Sequence, residues 1–84
     1  MRVEVRLFAV ARQRVGKPSM TVDLSDFATV AELRRALEST FPELADLLPH
    51  LRIAIDSEYV EDDHRIAPNS EVAIIPPVSG GGDG

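Results

Sequence analysis

The 84-residue sequence contains no cysteine. Disulfides, cysteine-bound zinc and a thiol nucleophile are therefore excluded from its chemistry. A short chain without such staples must rely on its apolar core alone. Glycine is scarce until the end: Gly16 stands by itself, while Gly80, Gly81, Gly82 and Gly84 crowd the last five positions. No apolar run approaches the roughly 20 residues of a membrane-spanning helix. The first residues set Arg2, Glu4 and Arg6 into an alternating pattern, with no recognisable secretory leader. A cytoplasmic location without a membrane partner is the expectation. Positive charge is also in deficit, with 9 Lys+Arg against 14 Asp+Glu and a net charge of −5. That balance argues against nucleic acid as the main partner.

What remains is enough for one small globular domain, with 44% apolar and 27% charged residues. The charge is unevenly spread. Arg2, Arg6, Arg12, Arg14 and Lys17 face only Glu4 within residues 1–17, and acidic residues dominate thereafter. Asp56, Glu58, Glu61, Asp62 and Asp63 form the densest acidic stretch. Two readings fit it: a solvated loop, or a contact with a basic partner surface.

Hydrophobic spacing predicts the elements. Met1–Phe8 alternates, with Val3, Val5 and Leu7 on one face and Arg2, Glu4, Arg6 and Phe8 on the other, as in a half-buried strand. Gly16-Lys17-Pro18-Ser19 supplies turn chemistry, and Met20, Val22 and Leu24 repeat the alternation, which predicts an N-terminal hairpin closed by a loop. Thr29-Val30-Ala31-Glu32 fits a capping box, in which the hydroxyl takes the Glu32 amide and the carboxylate reaches back to the Thr29 amide. Val30, Leu33, Leu37 and Phe41 follow at helical spacing, with Arg34, Arg35 and Glu38 on the wet side. Pro42 ends this helix or starts another, and Glu43–Leu48 is expected as a short helical turn stopped by Pro49.

Leu51, Ile53 and Ile55 predict a third strand, and Tyr59-Val60 a fourth after a turn at Asp56-Ser57. Glu71–Ile75 is the last strand, preceded by a turn at Pro68-Asn69-Ser70, where Asn69 tolerates positive φ. Pro76 and Pro77 cannot donate to a ladder and end the sheet. One helix with an apolar stripe and several strands with one apolar face give an α+β roll. The expected boundaries are a folded domain over 1–78 and a flexible glycine-rich tail over 79–84.

Self-contained catalysis finds little support in these residues. His50 and His64 stand apart with no metal-ligand spacing, and His64 is expected simply to pair with Asp62 or Asp63. No serine lies in a nucleophile elbow, and no glycine loop precedes a helix to cradle phosphate. The unusual feature is Ile74-Ile75-Pro76-Pro77-Val78-Ser79-Gly80-Gly81. Two prolines stiffen the exit from a core strand, and the glycines after them lack a Cβ, so they can thread a narrow channel. From physics alone, a glycine-rich end is usually just a disordered tail.

The order of elements resembles the ubiquitin-like β-grasp, a mixed sheet packed on one main helix. Thr29-Val30-Ala31-Glu32-Leu33-Arg34, Phe41-Pro42-Glu43-Leu44 and above all Glu71–Gly81 resemble the small subunit of molybdopterin synthase. The resemblance implies a non-catalytic sulfur carrier, with no cofactor or metal bound by this chain. An adenylyltransferase resembling the ubiquitin-activating enzyme uses ATP to activate the terminal glycine, here Gly81. A sulfur donor protein then converts it to a thiocarboxylate. Pro76, Pro77, Val78, Ser79 and Gly80 thread into the large subunit, where sulfur passes to cyclic pyranopterin monophosphate. Catalytic groups are thus expected on partners. The absence of cysteine is consistent with this, since a persulfide has no side chain to ride on.

Phe8 and Ile75 point away from the expected core on neighbouring strands and, with Tyr59, form a candidate apolar patch for the partner. Arg12 matches a basic position near that interface in the family. The resemblance implies an ending at Gly81, whereas this sequence continues with Gly82-Asp83-Gly84. Three residues displace the carboxylate by roughly 10 Å. Either a protease trims the chain after Gly81, or a partner accepts a longer tail ending at Gly84, or the chain is not a carrier. Sulfur supply to thiamine, cysteine or tRNA thiolation and a non-carrier interaction module are the competing functions.

Overall fold

A computed structural model describes residues 1–76. The alternation at the start of the sequence becomes β1 (Arg2–Leu7), whose residues are exposed and buried in strict turn. Phe8 leaves the strand and caps a seven-residue helix, α1 (Ala9–Val15). This helix corrects the expected loop: β1 and β2 (Ser19–Asp23) do pair antiparallel, from Arg2 opposite Asp23 to Arg6 opposite Ser19, but a helix joins them. Gly16 is its left-handed C-cap at φ 84°, donating its N–H to the Arg12 carbonyl at 2.8 Å. The glycine read as part of a hairpin turn thus ends a helix, the commonest use of an αL glycine.

The main helix, α2 (Val30–Thr40), starts with the full capping box. The Glu32 N–H donates to Thr29 Oγ1 at 3.3 Å, and the Thr29 N–H donates to Glu32 Oε1 at 2.8 Å. The Val30 and Ala31 amides donate to the carbonyls of His64 and Asp62 at 2.9 and 3.0 Å. Both remaining first-turn donors are thereby satisfied by a distant loop. Pro42 opens a 3₁₀ turn (Pro42–Leu44), and a second 3₁₀ turn (Leu48–His50) contains Pro49 in its first turn. Pro49 therefore belongs to a turn rather than stopping one, because its missing N–H is unneeded at such a start.

Three more strands, β3 (Arg52–Ile55), β4 (Glu58–Val60) and β5 (Val72–Ile75), complete a five-stranded sheet in the order β2-β1-β5-β3-β4. β5 lies parallel to β1 and antiparallel to β3. Asp56 and Ser57, at φ 51° and 73°, make the two-residue turn before β4, and Asn69 adopts φ 68° before β5. One sheet face carries Val3, Val5, Leu7, Met20, Val22, Ile53, Ile55, Val72 and Ile74, all buried with Val30, Leu33 and Leu37 of α2 in one core. No polar or charged residue is buried among the described ones. Arg34 corrects its expected place on the wet side: it is half-buried, donating to the Leu48 carbonyl at 2.6 Å and to Asp62 at 2.9 Å.

Candidate functional site

Helix α2 covers one face of the sheet and leaves the other bare. Register fixes what that bare face presents. Arg6 of β1 lies opposite Ala73 of β5, Ala73 opposite Ala54 of β3, and Ala54 opposite Tyr59 of β4. Residues directly opposite share a face, so an arginine, two alanines and a tyrosine form one row across four strands. Ile75 and Arg52, also mutual partners, form the next row. The alanines are too small to fill the space between their neighbours. A shallow groove of about 310 Å³ results, floored by Ala54 and Ala73 and walled by Phe8, Tyr59 and Ile75.

Three of the expected interface residues, Phe8, Tyr59 and Ile75, are therefore brought together. Phe8 and Tyr59 remain 40% and 53% exposed, and the only other large apolar side chain so exposed among the described residues, Phe27, lies in the loop before α2. Arg12, the fourth, lies on α1 in an adjoining groove of about 510 Å³ that shares Phe8 and Arg6. Of the tail residues, Pro76 is described and follows β5 directly. Pro77, Val78, Ser79, Gly80 and Gly81, and the Gly82-Asp83-Gly84 extension, lie outside the described residues, as do the expected domain boundary at 78 and the tail over 79–84.

Sequence reasoning missed two arginines and the floor. The Arg6 guanidinium stands 5.7 Å from the Phe8 ring centroid and that of Arg52 stands 4.1 Å from the Tyr59 ring centroid. Arg6 is also paired with Glu71 at 3.2 Å. Alternation within β3 would have aimed Arg52 and Ala54 outward, but only the β3–β5 register puts them beside Ile75 and Ala73.

Two residues of the acidic stretch have intramolecular roles that neither expected reading included. Asp56 accepts the Glu71 N–H at 3.0 Å, and Asp62 holds Arg34, so both are structural. Glu58, Glu61 and Asp63 are exposed and make no ion pair among the described residues. The expected pairing of His64 with Asp62 or Asp63 is likewise absent there, because Arg34 takes Asp62. Two carboxyls away from the groove are held below their usual range: Glu32 by the Thr29 backbone N–H and then its hydroxyl, and Asp46 by the Arg14 guanidinium, which bonds it at 2.8 Å. Among the described residues no group of His, Cys, Asp and Glu is placed to hold a metal ion, and no helix is long and apolar enough to cross a membrane.

The roll presents one bare sheet face beside the end of β5, and sequence comparison decides the family. Residues 5–81 match the ThiS family, from within β1 to the second glycine after Ser79. The chain belongs to the ThiS family. Its relatives include the molybdopterin synthase sulfur carrier subunit of Dictyostelium discoideum, 38% identical over 81 residues that cover 93% of this chain and 94% of that one. The crystal structure of SAMP1 from Haloferax volcanii matches with a TM-score of 0.82 at 27% identity, covering 95% of this chain and 99% of that chain. One chain of the protein–protein complex of subunit 1 and 2 of molybdopterin-converting factor from Helicobacter pylori has the same fold, with a TM-score of 0.68 at 22% identity and coverage of 95% of this chain and 99% of that chain. This ThiS-family chain therefore has the ubiquitin-like β-grasp fold, with α1 added to the expected order and two 3₁₀ turns where one short helical turn over Glu43–Leu48 was expected.

Proposed function

We propose that this ThiS-family chain is the sulfur-carrier subunit of a molybdopterin synthase, with Gly81 as its working end. The observation that carries the reading is the near full-length likeness to a molybdopterin synthase sulfur carrier subunit, within a family match that runs through Gly81. In this reading a Gly81 carboxylate oxygen attacks the α-phosphorus of ATP on an activating adenylyltransferase, and pyrophosphate leaves. A carboxylate is a poor electrophile, and AMP turns it into an acyl group with a good leaving group. The terminal sulfur of a donor-protein persulfide then attacks that acyl carbon and AMP departs; a second thiol, acting as reductant, cleaves the resulting sulfur–sulfur bond, leaving a thiocarboxylate on Gly81 and a disulfide on the donor side. The large subunit receives the tail and passes the sulfur to cyclic pyranopterin monophosphate. Residues 82–84 follow Gly81, so activation there requires a protease to cut after it.

The chain's own residues contribute position rather than catalysis. The β1–β5 ladder holds β5 as far as Ile74 and the β3–β5 ladder holds Ile75 opposite Arg52, which fixes where Pro76 leaves the sheet. Pro76 and Pro77 limit the directions the tail can take. Val78 and Ser79 carry it onward, and Gly80 and Gly81 pass where a Cβ would obstruct. Phe8, Tyr59 and Ile75 dock on the large subunit, with Arg12 at the margin.

Truncation after Ser79 separates the carrier reading from an inert-tailed docking module. With large subunit, activating enzyme, ATP, sulfur donor and precursor supplied, the truncated chain is expected to bind the large subunit yet form no product. Undiminished product from the truncated chain would overturn the carrier role. Product formed only in a thiamine, cysteine or tRNA thiolation system would reassign the pathway.

A further inference from the structure

The two arginine–aromatic pairs on the bare face are not equivalent. Arg6 is already neutralised by Glu71. Arg52 lies closer to its ring, 4.1 Å from the Tyr59 centroid, and no carboxylate among the described residues is within ion-pair reach of it. Stacking occupies the face of a guanidinium and leaves its in-plane N–H edge free, the edge that grips a carboxylate in a two-pronged contact. The ring also limits the rotamers available to Arg52, so less freedom remains to be lost on binding.

Its position adds direction to that free charge. Arg52 is the cross-strand partner of Ile75, the last residue of β5, where the chain turns out of the sheet at Pro76. Along β3, Ala54 lies two residues away on the same face, at the groove floor. Arg52, without an ion-pair partner among the described residues, thus stands one row from the groove floor at the point where the chain departs; the groove's polar lining is Ser57 and the Arg6–Glu71 pair. A polyanion fits poorly here, because Glu58 and Glu61 are exposed in and after the adjoining strand and the chain is net acidic. One carboxylate on an otherwise apolar protein surface fits well.

We propose that Arg52 is a specificity-determining residue of this docking face, accepting an Asp or Glu of the partner whose neighbouring apolar side chain seats in the groove between Phe8, Tyr59 and Ile75. The proposal rests on the function proposed above, which makes that partner the large subunit.

Calorimetric titration of the full chain with the large subunit, at low and at high salt, tests it. Arg52→Ala is expected to weaken binding about tenfold at low salt and to flatten the salt dependence. Arg52→Lys keeps the charge but not the fork, and recovers only part of the affinity. Arg52→Glu weakens binding further, and reversing one large-subunit carboxylate to Lys restores it. Equal urea midpoints for wild type and variants exclude a folding cause. Wild-type affinity and an unchanged salt dependence in Arg52→Ala and Arg52→Glu would overturn the role of Arg52 while leaving the carrier function standing. No binding by the wild-type chain would overturn both.

Discussion

Replacing Phe8 by Ala probes the docking face at one of its two large exposed aromatic side chains. Phe8 keeps 40% of its surface in solvent. An aromatic side chain offers about 150–250 Å², so complete coverage by a partner removes about 60–100 Å² from water. At about 25 cal/mol per Å², that burial is worth about 2 kcal/mol, or about 30-fold in Kd. The figure is an upper bound, since association also orders side chains and strips water from polar neighbours. Arg6 stacks on the same ring, so its removal also frees that arginine and adds an ordering cost on binding. Calorimetry against the large subunit should therefore show Phe8→Ala weakened by about 10- to 30-fold. The fold should persist, because Phe8 lies outside the core that joins α2 to the sheet. Affinity within about twofold of wild type, which is below about 0.5 kcal/mol, would refute the assignment of this face.

Two further outcomes test how the fold presents that face. Thr29→Ala removes the acceptor of the Glu32 N–H and should cost about 1 kcal/mol at neutral pH, read as a lower urea midpoint with an unchanged slope. Glu32 is lowered in the folded state, so its contribution is complete above the usual carboxylate range and disappears as pH falls through its folded value. The deficit of Thr29→Ala should accordingly narrow in acid, and a deficit independent of pH would contradict the capping account. Gly16→Ala places a Cβ that meets nothing within 4 Å, so any cost comes from the backbone at φ 84° alone. About 1 kcal/mol, or about 4–8 °C in Tm, is expected, and an unchanged Tm would show that α1 can end without an αL residue.

The parts of the fold legible in the sequence are those set by local chemistry. Period-two alternation identified β1 and β2, and the Thr29–Glu32 reciprocity placed the start of α2 at the residue. Asn69 marked a turn through its tolerance of positive φ, and Asp56-Ser57 marked another. Helix α1 escaped because seven residues give too few turns for a clear period, and its only fully buried side chain is Ala11. It is held instead by distant contacts: Arg14 donates to the Glu43 carbonyl at 3.0 Å and to Asp46 at 2.8 Å. Propensity cannot report such contacts, which join residues about thirty positions apart. Arg34 was misread for the same reason, since the loops it binds are distant in sequence.

The candidate site divides along the same line. Phe8 and Ile75 could be aimed outward from alternation alone, and the resemblance joined Tyr59 and Arg12 to them. The groove between them depends on Ala54 facing Ala73, a register fact set by how β5 slots between β1 and β3. Stacking of Arg52 on Tyr59 depends on the same register through β4. That Arg52 has no ion-pair partner among the described residues emerges only once their carboxylates are placed.

The central claim is that Gly81 carries sulfur as a thiocarboxylate. Intact-mass analysis of the chain purified from its native cell tests this most directly. The expected species ends at Gly81 and exceeds the mass of the carboxylate form by the substitution of one sulfur for one oxygen. That species should disappear when the large subunit and precursor are added. A chain that retains Gly82-Asp83-Gly84 and stays unmodified in the presence of ATP, activating enzyme and sulfur donor would contradict it.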